Sequence, residues 1–221
     1  MRGKLPHVHA TEIPGQAAQR HLSALAVAVA AGLALGALTA FGQQWLPESL
    51  APLANSASSW ALTAFLVALL ATRDGVAAAS GSFVLVCMLI GYVVANQLRG
   101  YPSSSGLLIF WGAAAVVVGP LLGLGAHWLR HRRGARAALG GGGISGVLIG
   151  EGVYGLRYIA DTTPPSYWWG QIAVGLLLLA AVSAWRLRPW RTTALGALTT
   201  ASVAVAFVFL YSHGGTLISL L

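Results

Sequence analysis

Residues Gly140–Asp161 read GGGGISGVLIGEGVYGLRYIAD, and this stretch decides what kind of protein the chain is. It is apolar enough to cross a bilayer, and its glycines allow neighbouring helices to approach closely. It also carries Glu151 in its interior. An acid inside a membrane span costs roughly 3 kcal/mol on insertion scales, so it marks either function or an obligatory partner. No other apolar run holds an acidic residue away from its ends.

The rest of the chain agrees with a membrane setting. Of 221 residues, 57% are hydrophobic and only 8% are charged. Soluble domains carry roughly 25% charged residues, so a water-soluble globule is excluded. The formal net charge is +8, but the arginines fall in short clusters between apolar runs. They do not form the basic face of a folded domain that nucleic-acid binding would need, so no nucleic-acid partner is expected. The lone cysteine, Cys87, lies within an apolar run and allows no intrachain disulfide. No Cys/His spacing suggests a metal, and no Walker A or dinucleotide motif suggests a cofactor.

Seven apolar runs are predicted to span the membrane, at about residues 22–41, 57–72, 76–98, 106–129, 138–158, 168–185 and 193–211. A span needs ~20 residues, and the second run is short for one. The first is longer than a signal-peptide core and reads as a retained span. A flexible polar tail (1–21) precedes a single helical domain (22–213), and a short tail (214–221) follows. Gly119-Pro120 predicts a kink in the fourth span. The expected fold is all-α, a polytopic transmembrane helix bundle.

Basic residues give the orientation. The N-terminal tail, Arg73, the cluster Arg130–Arg136 and the trio Arg186, Arg188 and Arg191 fall on one side, and only Arg99 and Arg157 on the other. This asymmetry places the N-terminus in the cytoplasm and the C-terminus outside.

Basic turns at Arg20, Arg73, Arg132 and Arg191 recur at near-even spacing, and Ala34–Thr39 (ALGALT) returns as Ala194–Thr199. Either the chain repeats an in-out-in hairpin of about 58 residues, or even loop lengths and an Ala/Gly/Leu-rich alphabet produce the match. Small residues concentrate in odd-numbered spans, which should pack centrally. Trp60, Trp111, Trp168 and Trp169 open the even-numbered spans and should anchor them at the headgroup level.

The candidate ligand-binding residues gather on the outer side. Glu151, Tyr154 and Tyr158 share a helix face by their spacing. Arg157 lies off that face, so Arg99 is an equal candidate to pair with Glu151. Asn96, Gln97 and Tyr101 surround Arg99 in sequence. Gln43, Gln44, Trp45 and Glu48, with Asn55, Ser58, Ser59 and Trp60, form a third polar group. Such a pocket suits a small polar solute or a proton relay; equally, Glu151 could be a structural residue fixing helix register. Gly143-Ile144-Ser145-Gly146 has the GxSG form of rhomboid protease nucleophiles. Ser145, however, lies at the opposite end of its span from His213, beyond reach of that base.

Four segments resemble a family of small polytopic bacterial membrane proteins classed only as a domain of unknown function. They are Ala54-Asn55-Ser56 with Ser59-Trp60-Ala61, Gly91-Tyr92, Gly119-Pro120-Leu121-Leu122-Gly123, and Glu151-Gly152-Val153-Tyr154. The resemblance implies a bacterial cytoplasmic membrane and supplies no activity or catalytic residues. The expected function is a small-solute permease or its membrane-embedded binding subunit. The alternative is a non-catalytic component or sensor that packs against a membrane-protein partner or another copy of itself.

Overall fold

The computed structural model describes residues 14–219. Of the tails expected at 1–21 and 214–221, residues 1–13 and 220–221 lie outside the described residues, and the rest is helical. Seven α-helices follow one another: α1 Pro14–Trp45, α2 Ala57–Ala68, α3 Asp74–Leu98, α4 Ser105–His131, α5 Ala135–Tyr154, α6 Pro165–Arg186 and α7 Trp190–Ser219. A 3-10 turn, Ala51–Asn55, precedes α2, and a π-turn, Gly155–Ile159, ends α5. Helix α1 begins well before Leu22, at a proline whose missing N–H is no loss in a first turn.

Among the described residues five helices are long and apolar enough to cross a membrane: α1, α3, α4, α6 and α7. The chain is therefore a multi-pass integral membrane protein. The two exceptions are informative. Helix α2 has 12 residues, about 18 Å at 1.5 Å per residue, against a ~30 Å hydrocarbon core. Helix α5 has 20 residues, but its glycines and Glu151 dilute its hydropathy. It can be less apolar because it faces protein: Ala137, Ala138, Gly140–Gly142, Ile144–Gly146 and Gly150–Gly152 are all buried.

Small residues set the packing. Helices α5 and α7 run parallel, with Gly142, Gly146 and Gly150 set against Gly196, Thr200 and Ala204. A Cβ at Gly150 would come within 2.9 Å of the Ala204 backbone. The Thr200 hydroxyl donates to Gly142 O at 3.1 Å. Helices α3 and α4 cross antiparallel through Gly81, Gly119 and Gly123, and Gly125 meets Gly140 where α4 crosses α5. Helix α1 packs on α3 through Gly32, Gly36 and Gly91. The bundle thus runs α1–α3–α4–α5–α7, with α6 against α5 and the short α2 laid across α3, α4 and α5. Pro120 lies within α4, which continues through it.

Two expectations need correction. Only α3 and α5 of the odd-numbered helices are central. Helices α1 and α7 use one small-residue face and turn Leu33, Leu38, Leu198, Val205 and Phe209 outward. Nor do all the tryptophans anchor. Trp169 is exposed, but Trp168 is buried over Gly155 and its indole N–H donates to Thr163 Oγ1 at 2.7 Å.

Arginines tie helix ends together. Arg130 donates to Leu69 O at the end of α2. Arg186 donates to Leu129 O at 2.7 Å and also to Arg130 O, at the end of α4. In each case a cation sits where a helix C-terminus leaves carbonyls without intrahelical partners.

Candidate functional site

The N-terminus of α2 is buried, with Ser56 and Ser58 almost fully enclosed. The first amides of any helix lack intrahelical partners, and in a membrane interior an unsatisfied amide costs several kcal/mol. Glu151 supplies the missing acceptors. Its Oε1 accepts from the Ala57 amide at 2.7 Å, and its Oε2 accepts from the Ser58 amide at 2.8 Å. Oε2 also accepts from the Ser56 hydroxyl at 2.6 Å and from Gln171 Nε2 at 3.0 Å. The third amide, Ser59 N, donates to Ser56 Oγ.

All four groups on Glu151 donate, which suits a carboxylate with both oxygens accepting. Among the described residues no cation is paired with it. Its charge is balanced by the amides and by the positive end of the α2 dipole. Gly150 and Gly152 flank it, so α7 on one side and α6 on the other close over the carboxyl, which is only 3% exposed. Gln171 is held in turn by Leu148 O and Ser58 Oγ. Tyr167 contributes a further hydroxyl at Ser56.

The other predicted residues separate into two places. Arg99 does not reach Glu151. It lies at the far side of the bundle, donating to Ala40 O, to Gln44 Oε1 at 2.9 Å and to Asn96 Oδ1 at 3.3 Å, with Phe41 and Tyr101 rings beside it. Gly100, with φ +80°, ends α3 in a Schellman turn in which Tyr101 N donates to Asn96 O and Gly100 N to Gln97 O. Gln97 is exposed. Replacing Arg99 with alanine should cost about 1.5–3 kcal/mol, the range for hydrogen bonds involving a charged group, read as thermal unfolding in detergent. Lysine should not restore it, because one ammonium cannot reproduce the planar fork.

The Tyr154 and Tyr158 rings lie tilted at 30° with centroids 5.1 Å apart, and Tyr154 meets Tyr211 at 5.4 Å. The series continues through Trp111 and Trp60 to Tyr92, whose hydroxyl accepts from Gln43. Arg157, in the π-turn, is exposed and makes no ion pair with Glu151. Sequence reasoning missed Gln171 altogether, although it is the one amide within the apolar sixth span. It grouped Ser58 with the outer polar residues but not as a ligand of Glu151.

Ser145 is fully buried, and its hydroxyl has no hydrogen-bond partner among the described residues, a histidine included. At the end of the bundle away from the α2 N-terminus, His127 Nδ1 lies 2.6 Å from Asp74 Oδ1, and Arg132 lies 3.7 Å from the same carboxyl. Among the described residues no group of His, Cys, Asp and Glu is arranged to hold a metal.

A model of the family of unknown function DUF6518 matches residues 15–216, and the chain belongs to that family. Neither the curated proteins nor the solved structures include a match to it.

Proposed function

We propose that this member of DUF6518 is a seven-span protein of the bacterial cytoplasmic membrane that works as a non-catalytic binding component. Its outer half would receive another membrane-embedded molecule. Alternating helix directions put Arg73, Arg130–Arg136 and Arg186–Arg191 at one end of the bundle and Arg99 and Arg157 at the other. That distribution supports an inward N-terminus and an outward C-terminus. Helix α2, with the segment leading to it, counts as a half-length crossing, and α5 as a crossing shielded by its neighbours.

The observation that carries this reading is the state of Glu151. All four hydrogen bonds it accepts come from the chain itself, and the residue is only 3% exposed, so a solute has no open approach to it. A small-solute permease is the second reading. It draws support from the π-turn just after Glu151, a feature frequent at functional sites, and it requires the carboxyl to be released during transport.

Carbodiimide coupling of an amine to carboxylates in intact membranes, mapped by mass spectrometry, separates the two. Glu48 and Asp161 are exposed and should be modified, while Glu151 stays unmodified until the protein is denatured. Modification of Glu151 in the folded protein at the rate of Glu48 would favour a solute path.

A further inference from the structure

Four helix ends meet at the end of the bundle away from the α2 N-terminus: those that close α4 and α6 and those that open α5 and α7. Two contacts pin them together. Arg186 of α6 donates to Leu129 O and Arg130 O at the end of α4. Leu187, fully buried, shares an apolar cluster with Ala137 and Ala138 of α5 and lies beside Gly196 of α7. The α4–α5 and α6–α7 turns therefore sit side by side. We propose that they bind the phosphate of an anionic phospholipid, held by Arg133 and Arg136 from one turn and Arg188 and Arg191 from the other. This surface plays no part in the reading of Glu151, and the proposal holds for whichever leaflet this end meets.

Charge complementarity points to an anion. Arg130 and Arg186 are committed to carbonyls, and Arg132 shares Asp74, the one carboxylate at this end among the described residues. Arg133, Arg136, Arg188 and Arg191 are exposed, and none reaches a carboxylate among the described residues. Arg136 lies 5.9 Å from the Trp128 ring and Arg191 5.8 Å from the Trp190 ring. A ring orients a guanidinium without neutralising it, and leaves N–H donors free for phosphate oxygens. Helices α5 and α7 add the positive ends of their dipoles, with no acidic residue in either first turn. Tryptophan decides between a lipid and a soluble anion. Trp185 and Trp190 flank the α6–α7 turn and are 80% and 75% exposed. Two indoles so placed are unfavourable in water, but at the headgroup level the ring meets acyl chains and the N–H meets polar groups. Both stand at the ends of membrane-length helices, and a basic pocket between such ends suits an anionic headgroup.

The test is titration of the delipidated full chain in mild detergent with phosphatidylglycerol or phosphatidylcholine, read as bound lipid by native mass spectrometry. The wild type should bind phosphatidylglycerol about tenfold more tightly or better. Arg188→Gln should lower that preference about fivefold, the worth of one cation near an anionic surface, and Arg133→Gln should do the same. Arg157→Gln removes an equal charge at the other end of the bundle and should change the preference by less than about twofold. Equal binding of the two lipids by the wild type overturns the proposal, as does an unchanged preference in Arg188→Gln. A loss in Arg157→Gln matching that in Arg188→Gln also overturns it, since net charge would then be the cause. So does displacement of the lipid by an equal concentration of inorganic phosphate, which would give the site to a soluble anion. If either Arg188→Gln or Arg133→Gln fails to fold, the other decides alone. None of these results alters the carbodiimide labelling of Glu151, so the two readings fail separately.

Discussion

Glu151→Leu is expected to lower the unfolding free energy on the order of 3–5 kcal/mol, the loss seen when one side of a buried charged contact is removed. At 2–4 °C per kcal/mol for a chain of this size, the melting temperature in detergent should fall about 10 °C. The reason lies in what remains behind. Leucine fills the space but leaves the Ala57 and Ser58 amides, the Ser56 hydroxyl and the Gln171 amide without an acceptor. Glu151→Gln is not a neutral replacement either. Glutamine has one acceptor oxygen where the carboxylate has two. Its best fit turns that oxygen toward Ser56, Ser58 and Gln171 and sets its own N–H₂ against the Ala57 N–H. That arrangement loses one bond and the charge assistance, about 2–3 kcal/mol. The order wild type, Gln, Leu separates a latch from a solute site, at which Gln would abolish activity and leave stability nearly intact.

The second large effect comes from the helix crossings. A Cβ at Gly123 would overlap the Ala77 carbonyl, and one at Gly36 would overlap the Met88 carbonyl. Neither neighbour is a flexible side chain that can turn away, because both are backbone within packed helices. Gly123→Ala and Gly36→Ala should each destabilise by about 2–3 kcal/mol, the upper part of the range for overpacking. Gly112 and Gly143 also sit within helices, but nothing lies within 4 Å of where their Cβ would be. There, alanine should be neutral or stabilising by about 0.5–1 kcal/mol, since glycine is the poorer helix former. Thermal unfolding of the four variants checks both halves of the prediction.

Much of this was visible in the sequence. Apolar run length identified the helices, because a bilayer demands consecutive apolar residues whatever the fold. Glu151 stood out for the same reason. What the sequence could not show was which partner satisfies it. An ion pair with Arg99 or Arg157 was as reasonable by spacing as any alternative. Half of the actual partners are backbone amides, in the first turn of a helix 93–94 residues earlier in the chain, and amides carry no sequence signal. The length of α2 was hidden similarly. Leu69, Leu70 and Ala71 are as apolar as a span requires, yet they close into turns whose end Arg130 secures. Trp168 likewise has the composition of an anchor. Its burial depends on Gly155 leaving room for an indole, a contact between two elements that no local pattern encodes.

The arginine contacts bear on the spacing of the basic turns. Arg99 reaches back to Ala40, Arg130 to Leu69 and Arg186 to Leu129, separations of 59, 61 and 57 residues. A cation at the end of one helix thus repeatedly reaches carbonyls of the helix two before it, at its very end for Arg130 and Arg186 and five residues before its end for Arg99.

Hydrogen exchange at the start of α2 tests the latch most directly. First-turn amides normally exchange fast, having no intrahelical acceptor. In the wild-type protein the Ala57 and Ser58 amides should be as protected as the interior of α5, and in Glu151→Leu they should exchange like a frayed helix end. Fast exchange of these two amides in the wild type, or protection unchanged by Glu151→Leu, would contradict the account.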